Sequence, residues 1–368
     1  MTQACRHCQT PLTQRFLDLG YAPPSNAYLP PEALNAPEMT WPLRLSVCDD
    51  CFLVQTEDFT AAEALFDAEY AYFSSTSKSW LDHAARYGSM VTARFGLTSA
   101  SHVIEVAAND GYLLRNFVAA GIPCLGVEPT ASTAAVAEAQ GIPVRRSFFG
   151  QALAEELVAD GLVADLVAGN NVYAHVPDIN DFTRGLARVL KPEGVITLEF
   201  PHLMRLIEFC QFDTVYHEHF SYLSLGTTQR IFRAAGLRIF DVEELSTHGG
   251  SLRVYGCLIG AGHVQSSSVL ALLAEEHARG MNTLAGYEGF QPRADAVKNG
   301  FLHFLLRAKA EGKTVAAYGA AAKGNTLLNY AGVKPDVLPF VCDAAASKQG
   351  KLMPGSHIPI LPPAALHR

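Results

Sequence analysis

The sequence predicts an α/β protein in three parts: an N-terminal zinc-binding domain, a central doubly wound domain and a C-terminal α/β nucleotide-binding-like domain. Three observations predict it. Four cysteines stand in two C-x-x-C pairs, Cys5/Cys8 and Cys48/Cys51. From His102 to about Pro201, apolar strand-like runs alternate with helix-like runs. Near the C-terminus a strand, glycine turn and helix, TVAAYGAAAKGNTLLNYAG, lead into the strand VLPFVCD. The expected boundaries are 1–58, 59–240 and 241–368.

Composition narrows the class of partner. The chain has 368 residues, of which 49% are hydrophobic and 17% charged, so it is an ordinary core-forming protein with room for two or three domains. A net charge of −8 and the lack of any lysine/arginine run argue against nucleic acid or an anionic membrane as partner. No apolar run approaches membrane-spanning length, and the opening MTQACRHC has no signal-peptide character. Cys124, Cys210, Cys257 and Cys342 stand singly in apolar surroundings. They read as buried free thiols in a reducing compartment, so the protein is expected to be cytoplasmic.

A C-x-x-C turn lets two thiolates reach one ion with little backbone strain. Two such turns supply the four soft ligands of a closed, structural Zn²⁺ site. The alternative, a redox pair, would have to sit between a strand and a helix, and do so twice. His7 lies inside the first turn and reads as a neighbour of the metal rather than a ligand. Between the cysteines are short strands, turns and a proline-rich loop (Ala22-Pro23-Pro24, Pro30-Pro31). The core here is expected to be small, which is why a metal is needed. Two helices should follow, AAEALF capped by Thr60 and WLDHAARYGSMVTARF capped by Ser77. The stretch between them carries Tyr70, Tyr72, Ser74 and Ser77, too polar for core and too aromatic for a plain linker.

In the central part HVIEVAA, PCLGVEP, PVRRSFF, DLVAGNNVYAHV and VITLEFP read as strands. GYLLRNFVAAG, TASTAAVAEAQG and residues 181–190 read as helices, the last ending before Lys191-Pro192-Glu193-Gly194. Ligands of such a sheet bind at the carboxyl ends of its strands. The first turn, Glu105-Val106-Ala107-Ala108-Asn109-Asp110-Gly111, joins an acid at a strand end to small residues and a helix. That is the pattern of an S-adenosylmethionine (SAM) methyltransferase of Rossmann-like fold. Glu128 ends the next strand, where a carboxylate can accept both ribose hydroxyls. An NAD-binding fold places an acid similarly, but G-x-G-x-x-G is absent. The cofactor-binding candidates are therefore Glu105, Ala107, Asn109, Asp110 and Glu128, with Asn170 and Asn171 at the end of the fourth strand.

His175 follows, where a methyltransferase meets its acceptor. Tyr216-His217-Glu218-His219-Phe220-Ser221-Tyr222 packs two imidazoles, a carboxylate and two phenols into seven residues. In an extended segment His217 and His219 share a face and could hold an ion, though H-E-x-x-H is absent. Groups able to hold and move a proton near neutrality favour catalysis here, by His219 or Tyr216. LRVYGCLIG should be the first strand of the third part, and residues 269–309 mostly helical. Lys323 and Asn325 sit on a glycine turn opening a helix, which suits a pyrophosphate. His248, Gly249, Gly250, Ser251 and Arg253 form a second candidate nucleotide contact; for Arg253 the alternative is an inter-domain ion pair.

EVAANDGYLL, GVEP, NNVYAHVPDINDF, VYHEHFSYLS, THGGSLRVY and YGAAAKGNTLLNYAG, behind a four-cysteine domain, cover essentially the whole chain in order. In this combination the chain resembles the sugar-nucleotide C-methyltransferases, which modify TDP-4-keto-deoxyhexoses at C3. The resemblance implies SAM as methyl donor and a nucleotide-sugar substrate. A base removes the C3 proton beside the C4 ketone, and the enolate attacks the methyl. His219 ranks first as base and Tyr216 second, with His175 and Glu218 at the keto oxygen and neighbouring hydroxyls. Tyr70 or Tyr72, with Ser74 and Ser77, would close over the sugar. Tyr222, His248, Arg253, Lys323 and Asn325 complete the implied substrate contacts. Family members usually continue several tens of residues further, so the third domain is expected to lack its last strands. The rivals are O- or N-methylation of a similar sugar, and a nucleotide-sugar-binding protein without catalysis. Binding alone does not need two imidazoles beside a carboxylate.

Overall fold

The computed structural model describes residues 3–57 and 73–367. The helix expected over AAEALF, and Tyr70 and Tyr72, lie outside the described residues. In chain order, the N-terminal part holds β1 (Gln14–Ala22), β2 (Trp41–Val47) and β3 (Val54–Thr56). The central part follows with α1 (Lys78–Phe95), β4 (Val103–Val106), α2 (Leu114–Ala119), β5 (Cys124–Val127), α3 (Ala131–Ala139) and β6 (Val144–Arg145). It continues with α4 (Gln151–Ala159), β7 (Ala164–Asn170), α5 (Ile179–Val189), β8 (Leu190–Pro201), α6 (Leu203–Glu208), β9 (Ser221–Tyr222) and α7 (Leu225–Ala234). Then come β10 (Leu237–Leu245), β11 (Ser251–Leu258), α8 (Ser267–Ala278), α9 (Phe290–Ala310), β12 (Ala317–Tyr318), α10 (Ala322–Ala331), β13 (Val341–Cys342) and β14 (Ile360–Leu361).

The central sheet runs β10-β11-β8-β7-β4-β5-β6. β8, β7, β4, β5 and β6 are parallel, and β11 is antiparallel to both β8 and β10. From β4 the chain winds outward through β5 and β6, then returns to β7 on the other side. β4 and β7 therefore flank the switch point, where the ends of neighbouring strands leave a crevice. All four residues of β4 are buried, because helices cover both faces. α1 starts where expected: the Ser77 hydroxyl accepts from the Trp80 N–H, and Gly96 ends the helix at φ 62°. α5 turns Ile179, Phe182, Leu186 and Val189 inward at helical spacing, and Asp178 caps it.

Three expectations are corrected. LRVYGCLIG does not open a third unit; as β11 it is buried within the central sheet, paired with β8 and β10. The boundary at 240/241 thus falls inside β10. The strand expected over VITLEFP begins earlier, at Leu190, so that Lys191-Pro192-Glu193-Gly194 is the first part of β8. The N-terminal sheet does not rest on a small core of its own. Leu17, Leu45 and Leu53 join one apolar cluster with Phe200, Phe212 and Phe290, and the Phe16 ring stacks on Phe290 with centroids 4.7 Å apart. The third part has a separate cluster, including Leu305, Val341 and Ile360, under the parallel sheet β12-β13-β14. Cys124, Cys257 and Cys342 are buried as expected, while Cys210 is half-buried. Among the described residues no helix is long and apolar enough to cross a membrane.

Candidate active site

The turn after β4 is the first component. Ala107, Asn109 and Gly111 all have positive φ, at 58°, 50° and 78°. Two of the three carry a Cβ, so the turn stores strain of the kind found at ligand clamps. Gly111 has no room for a side chain: a Cβ there would lie 2.4 Å from Ile142 Cδ1. The Glu128 carboxylate accepts from the Asn109 N–H at 2.9 Å and from the Thr130 N–H at 2.9 Å. Glu128 is thereby fixed at the end of β5. The Asn109 side-chain oxygen accepts from the Ser74 N–H and Asp110 from the Ser75 N–H, both at 2.9 Å. Ser74 and Ser75 thus lie over this turn. Ser74 is buried there, against the β4 turn rather than the histidine cluster, while Ser77 is exposed with its hydroxyl engaged as the cap of α1.

Glu105, Asp110 and Glu128 are three buried carboxylates in this crevice. Burial pushes the Glu105 carboxyl well above its usual range, and the charges of Glu128 and Asp110 add to that, with Tyr112 opposing them. Asn170, at the end of β7, is buried and neither polar atom of its amide meets a protein partner. An orphaned amide and clustered carboxylates suit a ligand carrying positive charge and hydroxyls. SAM, with its ammonium, sulfonium and ribose, fits that donor set.

The second component is the segment from Asp213 to Tyr222. His219 is half-buried and ringed by aromatics: its centroid lies 4.5 Å from those of His175 and Tyr216 and 5.9 Å from that of Tyr222. His219 Nδ1 lies 3.1 Å from the Thr214 carbonyl oxygen. A carbonyl only accepts, so Nδ1 carries the proton and Nε2 keeps its lone pair. Burial holds His219 well below the usual histidine range, helped by His175, His248 and Lys323. Burial likewise depresses His175, to about 4, and drives the Tyr216 and Tyr222 phenols up. At neutral pH the whole cluster is uncharged. Asp213 is raised by burial and lowered by Lys323, which places that ammonium beside the segment.

The two imidazoles of H-E-H do not share a face toward one ion. His217 Nε2 lies 3.3 Å from the Trp41 carbonyl on β2, away from His219. Glu218 turns to the N-terminal loop, where the Asn26 amide donates to both its oxygens at 3.2 and 3.3 Å. That loop bridges to the third part: Tyr28 donates to the Ala320 carbonyl at 2.6 Å, and Asn325 donates to the Ser25 carbonyl at 3.0 Å.

Residues after β10 divide. His248 is exposed on a turn at φ 52°, ahead of Gly249 and Gly250. Its Nε2 lies 3.2 Å from the Asn171 amide nitrogen, and its ring is 5.4 Å from that of Trp80. Lys323 Nζ approaches the His248 carbonyl at 3.5 Å. His248, Asn171 and Lys323 thus meet between the cofactor turn and His219. Arg253 does not join them. It is buried in β11 with its guanidinium on Glu199 at 2.7 Å and Glu243 at 3.0 Å, and over the Tyr87 ring. It is an ion pair inside the central sheet, not a nucleotide contact. Asn325 is fully buried and spent on Ser25.

Sequence reasoning missed Trp80 and His83, whose rings stack at 4.9 Å beside Tyr112 and His248, and Glu199, which His83 meets at 2.9 Å. Only the aromatic spacing in SWLDH hinted at them.

The third component is the cysteine cluster. Its four Sγ atoms lie within 4.8 Å of one another, with Cys5–Cys51 at 3.5 Å and Cys8–Cys48 at 3.4 Å. Tetrahedral Zn–S bonds of about 2.3 Å put sulfurs about 3.8 Å apart, so the set fits zinc. The two turns are built alike. Gln9 and Phe52, each just after the second cysteine, have φ near 60°, and their N–H groups donate back to Cys5 and Cys48. His7 is no ligand; its Nδ1 lies 2.8 Å from Asn180 Oδ1.

Three family models match the chain: "Putative zinc binding domain" over residues 5–66, "Methyltransferase domain" over 78–242 and "C-methyltransferase C-terminal domain" over 246–368. C-methyltransferase NovU of Streptomyces niveus is 34% identical over 359 residues, covering 98% of this chain and 85% of NovU. The chain belongs to the C-methyltransferase family. It is an SAM-dependent C-methyltransferase, and its four N-terminal cysteines are a zinc site. The C-terminal model takes in β11, so that family unit reaches into the central sheet. Solved structures similar to part of the methyltransferase include an S-adenosylmethionine-dependent methyltransferase of Clostridium acetobutylicum, with 11% identity over 48% of this chain and 92% of that one at TM-score 0.39. Another is magnesium protoporphyrin IX methyltransferase of Synechocystis with bound SAM, at 15%, 48%, 78% and 0.37.

Proposed function

We propose that this enzyme methylates C3 of a nucleotide-linked 4-keto-deoxysugar, with TDP as the nucleotide. The observation that carries the reading is His219, with Nδ1–H on the Thr214 carbonyl, Nε2 left with its lone pair, and the rings of His175, Tyr216 and Tyr222 around it. A C–H bond beside a ketone is acidic enough for such a base. His219 Nε2 takes the C3 proton, and the electron pair moves to the C4 oxygen as an enolate. C3 would then bond to the methyl as the C4 carbonyl re-forms, the S–CH₃ electron pair staying on the sulfur of a neutral thioether. SAM, when bound, supplies that methyl as an electrophile on a sulfonium. Glu105, Asp110 and Glu128 hold its positive charge and ribose, with Asn170 and the strained turn at Ala107 and Asn109 shaping its seat.

A low basicity suits a base only if its proton is stabilised on arrival. The enolate does this, since an imidazolium and an oxyanion form together in a site of low dielectric. The Lys323 ammonium stands near enough to His219 to depress it electrostatically, so the same charge favours the developing oxyanion, and neutral His175 would serve only as a hydrogen-bond donor. Tyr216 is the second candidate base, but its raised phenol makes it a donor at neutral pH. Lys323 and His248 are the residues that would meet the diphosphate.

The test is turnover with SAM and a panel of TDP-4-keto-deoxyhexoses, read by mass spectrometry and NMR. A gain of one methyl on C3 is expected. Solvent deuterium should also enter C3 without SAM, and His219→Gln should stop it. Methyl on oxygen or nitrogen, with no exchange at C3, would overturn the reading.

A further inference from the structure

We infer that Arg6 is a positioning residue for the acceptor site, through which the zinc turn sets the spacing of His175 and His219. The inference rests on the base assignment proposed above. Arg6 lies inside the first metal turn, between Cys5 and His7. Its guanidinium donates to three carbonyl oxygens on three separate segments: Nε to Phe220 at 3.2 Å, Nη1 to Pro177 at 3.1 Å and Nη2 to Thr56 at 3.0 Å. Phe220 directly follows His219. Pro177 lies two residues after His175. Thr56 closes β3, and its own N–H donates to the Phe220 carbonyl. The guanidinium also lies over the Phe220 ring, 5.0 Å from its centroid.

These contacts converge where the two imidazole-bearing segments already touch. The Phe220 N–H donates to the Ala174 carbonyl at 2.8 Å, and the His175 and His219 rings stand edge to face at 4.5 Å. β9 continues from there as the fourth strand of the zinc domain's sheet, Tyr222 opposite Val54. Arg6 is itself fixed from behind: its N–H donates to Gln55 Oε1, and Gln55 Nε2 lies 3.3 Å from Cys5 Sγ. A C-x-x-C turn binds zinc whatever stands between its cysteines. A planar fork of donors can tie three carbonyls together, and lysine cannot supply it.

The experiment uses the full-length zinc enzyme with Arg6→Gln and Arg6→Lys. Four quantities are read: zinc content, SAM affinity, kcat with deuterium exchange at C3, and the side-chain ¹H–¹⁵N signals of His175 and His219. His175→Gln and His219→Gln supply the assignments. Arg6→Gln should keep its zinc and its SAM affinity, lose about 10²-fold in kcat and exchange, and shift both imidazole signals. Arg6→Lys should fall between. Either variant with wild-type kcat and unmoved imidazole signals would overturn the inference; so would a kcat loss that follows zinc content and vanishes on reloading. Should Arg6→Gln not fold, Arg6→Lys alone decides by the same readouts. Failure of the base assignment shows separately, as full exchange in His219→Gln.

Discussion

The cofactor turn and the acceptor segment are built on opposite plans. The turn is local. Glu105 to Gly111 are contiguous, and the Glu128 carboxylate that fixes Asn109 comes from the neighbouring strand of the same sheet. Its precision comes from backbone N–H groups and left-handed residues of the central sheet, with Ser74 and Ser75 just before α1 laid over it. The acceptor segment has local bonds, such as His219 to Thr214, but is anchored from afar. Its strand pairs with β3 of the zinc domain, Glu218 is held by Asn26, and Lys323 reaches it from α10. The proposed seat of the methyl donor is thus a property of one domain, and the proposed acceptor site a property of three.

Zinc removal is the sharpest way to break that comparison. Structural zinc contributes on the order of 10 kcal/mol to small domains that depend on it. Chelation or Cys48→Ser should abolish methyl transfer, because β9 and Arg6 lose their support. SAM binding by calorimetry should change little, since the described bonds of the β4 turn run to Glu128, Ser74 and Ser75 rather than to a cysteine turn. Equal loss of both would mean that the apolar cluster shared by β1–β3 and the central sheet couples the two regions into one folding unit.

Chemistry separates them next. His219→Gln should cost about 10²- to 10⁴-fold in kcat with SAM affinity unchanged. Glu128→Gln should do the reverse on a smaller scale. Hydrogen bonds to a charged group are worth about 1.5–3 kcal/mol, so SAM affinity should fall about 10- to 100-fold with a lesser effect on kcat at saturation. Isothermal titration and initial rates on both variants give the double dissociation; identical profiles would erase the division.

The same contrast explains what could be read from the chain. Glu105, Asn109, Asp110 and Glu128 were legible because strand-end acids and a small-residue turn are defined by spacing within some twenty residues. The H-E-H segment was legible as chemistry but not as geometry. Its extended pattern put His217 and His219 on one face, whereas the chain bends there and sends His217 to Trp41. Arg253 misled because its neighbours Gly249 and Gly250 read as an open loop. The strand begins at Ser251, and an arginine on a strand buried on both faces must find carboxylates, here Glu199 and Glu243. Helix α4 and strand β10 carried no distinct start signal. The role of Arg6 was invisible for a different reason: among the described residues, the three carbonyls that its guanidinium meets lie 50, 171 and 214 residues away.

Acid should move the two regions in opposite directions, and this is the smallest effect expected. His175 is held at about 4 by burial. Unfolded, it takes a proton near 6.5, so the unfolded chain binds more protons between those values. Its contribution is constant above pH 6.5 and is lost as pH falls toward 4, amounting to about 2 kcal/mol at pH 5. Glu105 has the other sign. Its folded carboxyl lies well above the unfolded 4.5, so the folded chain binds more protons, and stability is gained as pH falls through that window. Urea unfolding at pH 7 and pH 5 separates the two. His175→Gln should lose less stability than the wild type between these pH values, and Glu105→Gln should lose more. Parallel curves for all three proteins would mean that neither group titrates differently on folding, and that the electrostatic contrast between the cofactor turn and the acceptor segment is absent without ligands.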